Sequence, residues 1–254
     1  MCLIVFGYGV HEDYPLIVAA NRDEFYSRPT VPLHHWPHSP IKAGKDNEKG
    51  GTWMGVTESG RFAAITNVRA PKQNPAKYSR GEIVKGFLEA EDPHTFLEEC
   101  NVHNEDFDGY NLISGNSNQL FYSTNQDKHT KHQLQKGIYG LSNAFLNTPW
   151  PKVVHAKKKF TSILKKQMEP FSPEPLFEML SNTDEADEND LPETGVNRQL
   201  EKKLSPLFIR MKGYGTRSQT VIVFTKKGEV MMEERTYSEN GHILNQKNIN
   251  WTIK

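Results

Sequence analysis

The sequence predicts an α+β fold in which two antiparallel β-sheets pack face to face and helices cover them. Three observations predict it. Runs of β-branched and aromatic residues recur in blocks, separated by short polar turns. Helical patterns are grouped between those blocks, as expected for sheets that bury one face against helices. The 254 residues allow one large domain or two small ones, with enough core for independent stability. No internal repeat or low-complexity tract divides the chain, and residues 1–254 are read as a single domain.

The chain opens in β. Cys2–Val10 and Pro15–Ala20 flank the polar turn His11-Glu12-Asp13 and read as a hairpin of two mostly buried strands. Asn21-Arg22-Asp23-Glu24 is expected directly after the second strand. Pro29–Lys49 lacks periodicity and reads as a loop with one short strand. Gly51–Val56 and Arg61–Thr66 form the next hairpin around Glu58-Ser59-Gly60.

Helices follow. Ser79-Arg80-Gly81-Glu82 fits a capping box ahead of the apolar stripe Ile83, Val84, Phe87 and Leu88. Asp92-Pro93 supplies an N-cap and a proline at N1 for a helix carrying Phe96 and Leu97. Strands resume at Gly109–Ser114, Gln119–Tyr122 and Gly137–Leu141. Pro151–Gln167 is an amphipathic helix with Val153, Val154, Phe160, Ile163 and Leu164 on one side and lysines on the other. Ser172-Pro173 opens another, ending near Leu180. Asn182–Glu193 is acidic, poor in apolar residues and read as an exposed loop. Arg217–Thr225, Glu229–Tyr237 and Ile243–Ile253 close the chain as strands, with turns at Lys227-Gly228 and Asn240-Gly241.

Composition narrows the function classes. Lysine plus arginine equals aspartate plus glutamate at 31 each, so no overall basic field draws the chain to nucleic acid. The longest apolar runs, such as Leu16–Ala20 and Thr220–Phe224, are too short to span a bilayer, so no integral membrane segment is expected. No charged stretch followed by a long apolar one opens the sequence, and no signal peptide is read. Two cysteines, Cys2 and Cys100, make a disulfide framework unexpected and a reducing cytoplasm the default location. His34, His35 and His38 match no closed zinc spacing and read as a solvated loop; no metal or other cofactor is expected. Cys100 and the run Lys157-Lys158-Lys159 read as structural and as a solvated helix face.

Chemistry concentrates on Cys2. Methionine is normally removed before a small residue, and removal of Met1 would place a thiol and an α-amine on one terminal residue. The amine's reference pKa of about 7.7–8.0 suits a base near neutral pH, and the thiol is a strong intrinsic nucleophile. Position alone equally allows Cys2 to be a small apolar residue opening a core strand. A hairpin returns the end of its second strand to the start of its first, which places Asn21-Arg22-Asp23-Glu24 near Cys2. Asp23 could orient the amine there, and Arg22 could hold a thiolate or a substrate carboxylate. Asn67-Val68-Arg69, Ser142-Asn143 and Gly213-Tyr214-Gly215-Thr216-Arg217 lie at further strand ends. Asparagine amides and backbone N–H groups in such places are the usual oxyanion donors of acyl transfer, although each cluster also reads as an ordinary turn.

These motifs resemble a known family. Met1-Cys2, Asn21-Arg22-Asp23-Glu24, Gly51-Thr52-Trp53, Thr66-Asn67-Val68-Arg69, Asn111-Leu112-Ile113, Tyr139-Gly140-Leu141-Ser142-Asn143, Thr148-Pro149-Trp150-Pro151-Lys152 and Gly213–Ser218 occur in the order of the NRDE family, which includes the transport and Golgi organization protein 2 homologs. The resemblance covers nearly the whole chain. More remotely, the family is similar to the choloylglycine hydrolase and penicillin V acylase branch of N-terminal nucleophile hydrolases. That similarity implies a four-layer αββα sandwich and a mature N-terminal cysteine that attacks an amide. Motif for motif, it implies Cys2 as nucleophile, Asp23 as the carboxylate holding its amine, and Asn67 and Asn143 serving the oxyanion or the amine. Arg217 falls where a late arginine assists the thiol. One departure is that Arg22 directly adjoins Asp23, where that branch places a spacer, so the role of Arg22 is open. Asn21, Arg22, Arg69 and Asn111 are the candidate substrate-binding residues.

The leading expectation is a cysteine-nucleophile hydrolase or acyltransferase acting on an amide or acyl bond of a small molecule. The alternative, which the resemblance also implies, is a non-catalytic protein that binds or transfers haem, an acyl lipid or acyl-CoA. A purely structural role in secretory organisation ranks below both.

Overall fold

Alternation of buried side chains sets the architecture. In β1 (Cys2–Tyr8) and β2 (Leu16–Phe25), Ile4, Phe6, Leu16, Val18 and Ala20 point one way, while Leu3, Val5, Ile17 and Ala19 point the other. Both faces are buried, so each faces a different core. The computed structural model describes residues 2–68, 76–127, 131–167 and 169–254.

After this hairpin come β3 (Thr30–His35), β4 (Ile41–Asp46), β5 (Met54–Thr57) and β6 (Phe62–Asn67), then helices α1 (Arg80–Glu89) and α2 (Pro93–Val102). Strands β7 (Tyr110–Gly115), β8 (Leu120–Thr124), β9 (Lys131–Gln133) and β10 (Gly137–Leu141) follow. Helices α3 (Pro151–Leu164), α4 (Glu174–Leu180) and α5 (Arg198–Lys203) precede β11 (Arg210–Met211), β12 (Tyr214–Phe224), β13 (Glu229–Tyr237) and β14 (Ile243–Thr252). One antiparallel sheet has the order β10-β1-β2-β12-β13-β14, with β11 paired to β12; the other runs β3 to β9 in chain order.

Three apolar clusters correspond to the three interfaces of a four-layer αββα sandwich. Ile4, Val18, Ile113, Ile222 and Met232 pack between the sheets. Leu3, Ile17 and Val221 pack against Val153 and Phe160 of α3 and Phe177 of α4. Ile65 and Leu112 pack under Ile83, Val84 and Phe87 of α1. Each fully buried aliphatic side chain contributes about 1.5–3 kcal/mol through apolar burial. The expected α+β class and layering are both observed. Among the described residues, no helix is long and apolar enough to cross a membrane.

Local signals fixed α1 and α2 well. Ser79 accepts from Gly81 N–H while Glu82 accepts from Ser79 N–H, completing the capping box, and Asp92 caps α2 with Pro93 at N1. Three expectations need correction, and three short elements were not anticipated. Asn21–Glu24 lies inside β2, because that strand continues to pair with β12 beyond the end of β1. Residues 29–49 contain two strands, β3 and β4, whose pairing is interrupted between Val31 and His34 and so shows little alternation. Tyr214–Arg217 belongs to β12 instead of preceding it, with an irregular register between Thr216 and Ser218. The short elements β9, β11 and α5 give no periodic signal over their few residues.

Candidate active site

One register row of the first sheet makes the floor of a cleft. Cys2 pairs with Arg22, Arg22 with Ser218, Ser218 with Thr236 and Thr236 with Asn245. All five residues line a cavity of about 690 Å³ at the end of the inter-sheet core. Cys2 and Arg22 continue the alternation of Ile4 and Ala20, and so stand on the cleft side. The opposite wall comes from Gly44, Thr52, Trp53, Ile65 and Asn67 of the second sheet and its loops.

Helix α1 closes that wall through a close backbone approach. A Cβ on Gly51 would lie 2.5 Å from the Gly81 carbonyl carbon, and one on Gly81 would lie 3.1 Å from the Thr52 oxygen. The loop before β5 therefore docks directly on the first turn of α1, where a side chain on either glycine would push it off. This contact seats Arg80, the first residue of α1, over the cleft.

The start of β1 is held from three sides. The backbone nitrogen of Cys2 donates to Asn143 Oδ1 at 3.2 Å, and the Cys2 carbonyl accepts from Ser142 Oγ at 2.9 Å. Asn143 Nδ2 donates to the Asn67 carbonyl at 2.9 Å, which ties the end of β10 to the end of β6 across the two sheets. The backbone N–H of Asp23 donates to the Cys2 sulfur. Burial pushes the Cys2 thiol above its ordinary pKa and the Asp23 charge adds to this, while Arg22 acts in the opposite direction. The thiol is therefore the resting form at neutral pH, and a nearby base is needed to make it a nucleophile.

Asp23 lies behind Cys2, on the helix side of β2, and is 4% exposed. Thr216 Oγ1 donates to its Oδ1 at 2.7 Å. Burial raises its pKa, and Lys152, Thr216 and Arg22 all favour its charged form. Lys152 is itself 3% exposed in the first turn of α3, a place disfavoured for a cation by the helix dipole. Two buried opposite charges at the same end of one layer compensate each other.

The other expected residues divide clearly. Asn67 is exposed and lines the cleft, and Arg22 does so with Nη2 3.6 Å from Glu24 Oε2. Asn21 points into the helix layer, where Nδ2 donates to the carbonyls of Leu180 and Leu207 at 2.9 and 2.7 Å. Asn111 is buried, donates to Thr66 Oγ1 and the Ala144 carbonyl, and accepts from Tyr122. Neither lines the cleft; both brace the segments that do. Arg217 occupies the irregular point of β12, and its Nη1 donates to the carbonyls of Phe25, Tyr26 and Arg28 at 2.8, 3.1 and 3.0 Å. Its guanidinium thus clamps the turn between β2 and β3. Arg69 lies outside the described residues.

Three site residues were missed by sequence reasoning. Arg80 was absorbed into the capping-box signal and Lys152 into the start of a helix. Glu234 is 5% exposed, lines the cleft and accepts from Leu33 N–H at 2.7 Å. Its signal was the inward alternation Val230, Met232, Glu234 in β13. Burial pushes its carboxyl up to about 7. Among the described residues, no cluster of histidine, cysteine, aspartate or glutamate could hold a metal ion. His34 and His35 lie in β3, and Cys100 is a half-buried helix residue whose thiol burial raises to about 11.

Comparison with known proteins bears on the family and the fold. A family profile described as Transport and Golgi organisation 2 matches residues 1–239. The Transport and Golgi organization 2 homolog of Mus musculus is 32% identical over 257 residues, covering 93% of each chain. Transport and Golgi organization protein 2 of Drosophila melanogaster is 27% identical, covering 93% of this chain and 92% of its own. Among solved structures, a mutant conjugated bile acid hydrolase from Clostridium perfringens superposes with a TM-score of 0.52 at 9% identity, over 100% of this chain and 98% of its own. The Caenorhabditis elegans N-acylethanolamine-hydrolyzing acid amidase ortholog gives 0.50 at 11% identity, over 87% and 92%. At such identities the likeness concerns the fold, which is that of the N-terminal nucleophile hydrolases.

Proposed function

We propose that this chain, which belongs to the Transport and Golgi organisation 2 family, is an amidohydrolase or acyltransferase whose nucleophile is Cys2 after removal of Met1. One observation carries the reading. The Cys2 nitrogen is anchored by Asn143 Oδ1 at 3.2 Å while its sulfur lies in the cleft, beside the Asp23 N–H and Arg22. Amine and thiol are thus fixed in different directions by different partners.

In this mechanism the thiol gives its proton to the neutral α-amine of the same residue, directly or through one water. The sulfur attacks the substrate carbonyl carbon, and the C=O electron pair moves onto oxygen. The Asn67 side-chain amide and backbone N–H groups of the cleft stabilise that oxyanion; one such donor is typically worth about 10²–10³ in rate. Collapse breaks the C–N bond, and the departing amine takes the proton from the α-ammonium. Water, or an acceptor amine in acyl transfer, then attacks the thioester and yields its proton to the α-amine. The S–C bond breaks and the sulfur recovers the proton. Asp23 holds the amine, and Arg22 rather than Arg217 favours the thiolate, since the Arg217 guanidinium is taken up by the turn carbonyls.

The test begins with the intact mass of protein purified from its native type of host, followed by assay of acyl amides and thioesters with and without Cys2→Ala. Loss of one methionine, together with turnover that vanishes in a folded Cys2→Ala protein, supports the reading. Retention of Met1 removes the α-amine from Cys2 and ends it. Tight haemin or acyl-ligand binding without turnover would favour carriage of a ligand instead.

A further inference from the structure

Two of the arginines that line the cleft are already committed. Arg28 meets Asp46 Oδ2 through Nη2 at 2.6 Å and Nε at 3.0 Å, and Arg217 is bound by carbonyls. Arg22 and Arg80 differ. Their carboxylate neighbours lie beyond hydrogen-bond distance, at 3.6 Å for Arg22 to Glu24 and 3.8 Å for Arg80 to Asp108. Arg80 adds one hydrogen bond, from Nη1 to the Gly109 carbonyl at 3.3 Å.

The two arginines line the cleft of Cys2 from different layers. Arg22 is the cross-strand partner of Cys2, while Arg80 descends from α1 on the far wall. Burial disfavours the charged form of Arg80, while Asp108, then Cys2 when ionised, and Glu24 support it. Glu24 and Asp108 offset the two arginines only in part, from beyond hydrogen-bond distance.

We propose that Arg22 and Arg80 form an anion site beside the Cys2 sulfur, and that the substrate carries a carboxylate within a few bonds of its reacting carbonyl. A guanidinium presents a planar fork of donors matched to a carboxylate. A monoanion fits better than a phosphate, because Glu24 and Asp108 flank the two arginines and would repel a second negative charge. The apolar surfaces of Trp53 and Ile65 in the same wall suit the remaining, uncharged part of such a molecule. Arg80 is then a specificity-determining residue. The word substrate rests on the reading of Cys2 as nucleophile; the anion site itself does not.

The experiment compares iodoacetate with iodoacetamide as alkylating agents of Cys2, followed by peptide mapping to separate it from Cys100. In both reactions the sulfur displaces iodide from carbon and its proton passes to buffer, so the reagents differ mainly in charge. At low salt, the iodoacetate-to-iodoacetamide rate ratio at Cys2 is expected to exceed that of the unfolded chain by about tenfold or more, an electrostatic preference that salt screens. Arg80→Gln should lower the ratio several-fold; because both reagents react with the same thiolate, any change in thiolate fraction cancels in the ratio. An equal ratio in wild type and variant overturns the site. Should Arg80→Gln misfold, protection of the wild type decides. N-acetylglycinate should slow alkylation by iodoacetamide and N-acetylglycinamide should not; equal protection overturns the site. Absence of turnover with amides of either charge, alongside a preserved iodoacetate preference, would remove the nucleophile reading and leave the anion site standing.

Discussion

Asn143 joins the two sheets at Cys2: its Oδ1 accepts from the Cys2 backbone nitrogen at 3.2 Å while its Nδ2 donates to the Asn67 carbonyl at 2.9 Å. One amide thus orients the Cys2 nitrogen and sets the spacing between the ends of β1 and β6. Asn143→Ala removes two part-buried hydrogen bonds, to the Cys2 nitrogen and the Asn67 carbonyl, each worth about 0.5–1.5 kcal/mol net. The expected result is a modest loss in denaturant midpoint and a loss of Cys2-dependent turnover far larger than the stability change explains. Turnover within about threefold of wild type would remove Asn143 from the mechanism.

Asp23 and Lys152 are both buried at the same end of the helix layer, and the Lys152 charge favours ionised Asp23. Breaking such a pair from one side typically costs about 3–5 kcal/mol. Lys152→Met and Asp23→Asn should each destabilise the fold, and the double variant should lose clearly less than the sum of the two. Additive losses in the double-mutant cycle would mean that the charges do not interact.

Glu234 gives a pH signature. Burial raises its carboxyl from 4.5 to about 7, so the folded chain keeps a proton that the unfolded chain releases. Across that interval stability falls as pH rises, by about 3 kcal/mol for this group when complete. Below pH 4.5 the contribution is fully present, and above pH 7 it is lost. Glu234→Gln can still accept from Leu33 N–H through Oε1 and should flatten the slope between those limits. Denaturant titrations at several pH values read it directly; equal slopes in variant and wild type would reject the assignment.

The sequence-to-structure correspondence is uneven for physical reasons. Ser79 and Glu82, or Asp92 and Pro93, are local signals that fix helix starts by hydrogen bonds within a few residues, and both were legible. Cys2, Asp23, Asn67 and Asn143, named together through the family motifs, lie together in the structure although they are distant in the chain. What could not be read was the direction of each side chain. Asn21 and Arg22 are neighbours in one motif, yet strand alternation sends Asn21 into the helix layer and Arg22 into the cleft. That distinction requires knowing that the motif lies inside β2 and pairs with β12, a contact nearly 200 residues away. Arg80 was equally hidden, because its place over the cleft comes from the backbone approach of Gly51 to Gly81.

The two arginines of the motifs should separate by experiment. Arg22 supports a thiolate at Cys2, so Arg22→Gln should raise the midpoint of the pH dependence of Cys2 alkylation, by roughly half to one pH unit for loss of a nearby opposite charge. Arg217 instead binds three carbonyls of the turn after β2 and stacks over Tyr26 at 5.7 Å. Hydrogen bonds to a charged group contribute about 1.5–3 kcal/mol net, and these three share one nitrogen. Arg217→Gln should therefore lower Tm by roughly 5–10 °C for a chain of this size and leave the alkylation midpoint in place. A shift of that midpoint in Arg217→Gln equal to that in Arg22→Gln would return the late arginine to the thiol. An unchanged midpoint with a lowered Tm would fix its role as the clamp that holds Arg22, Asp23 and their strand in register.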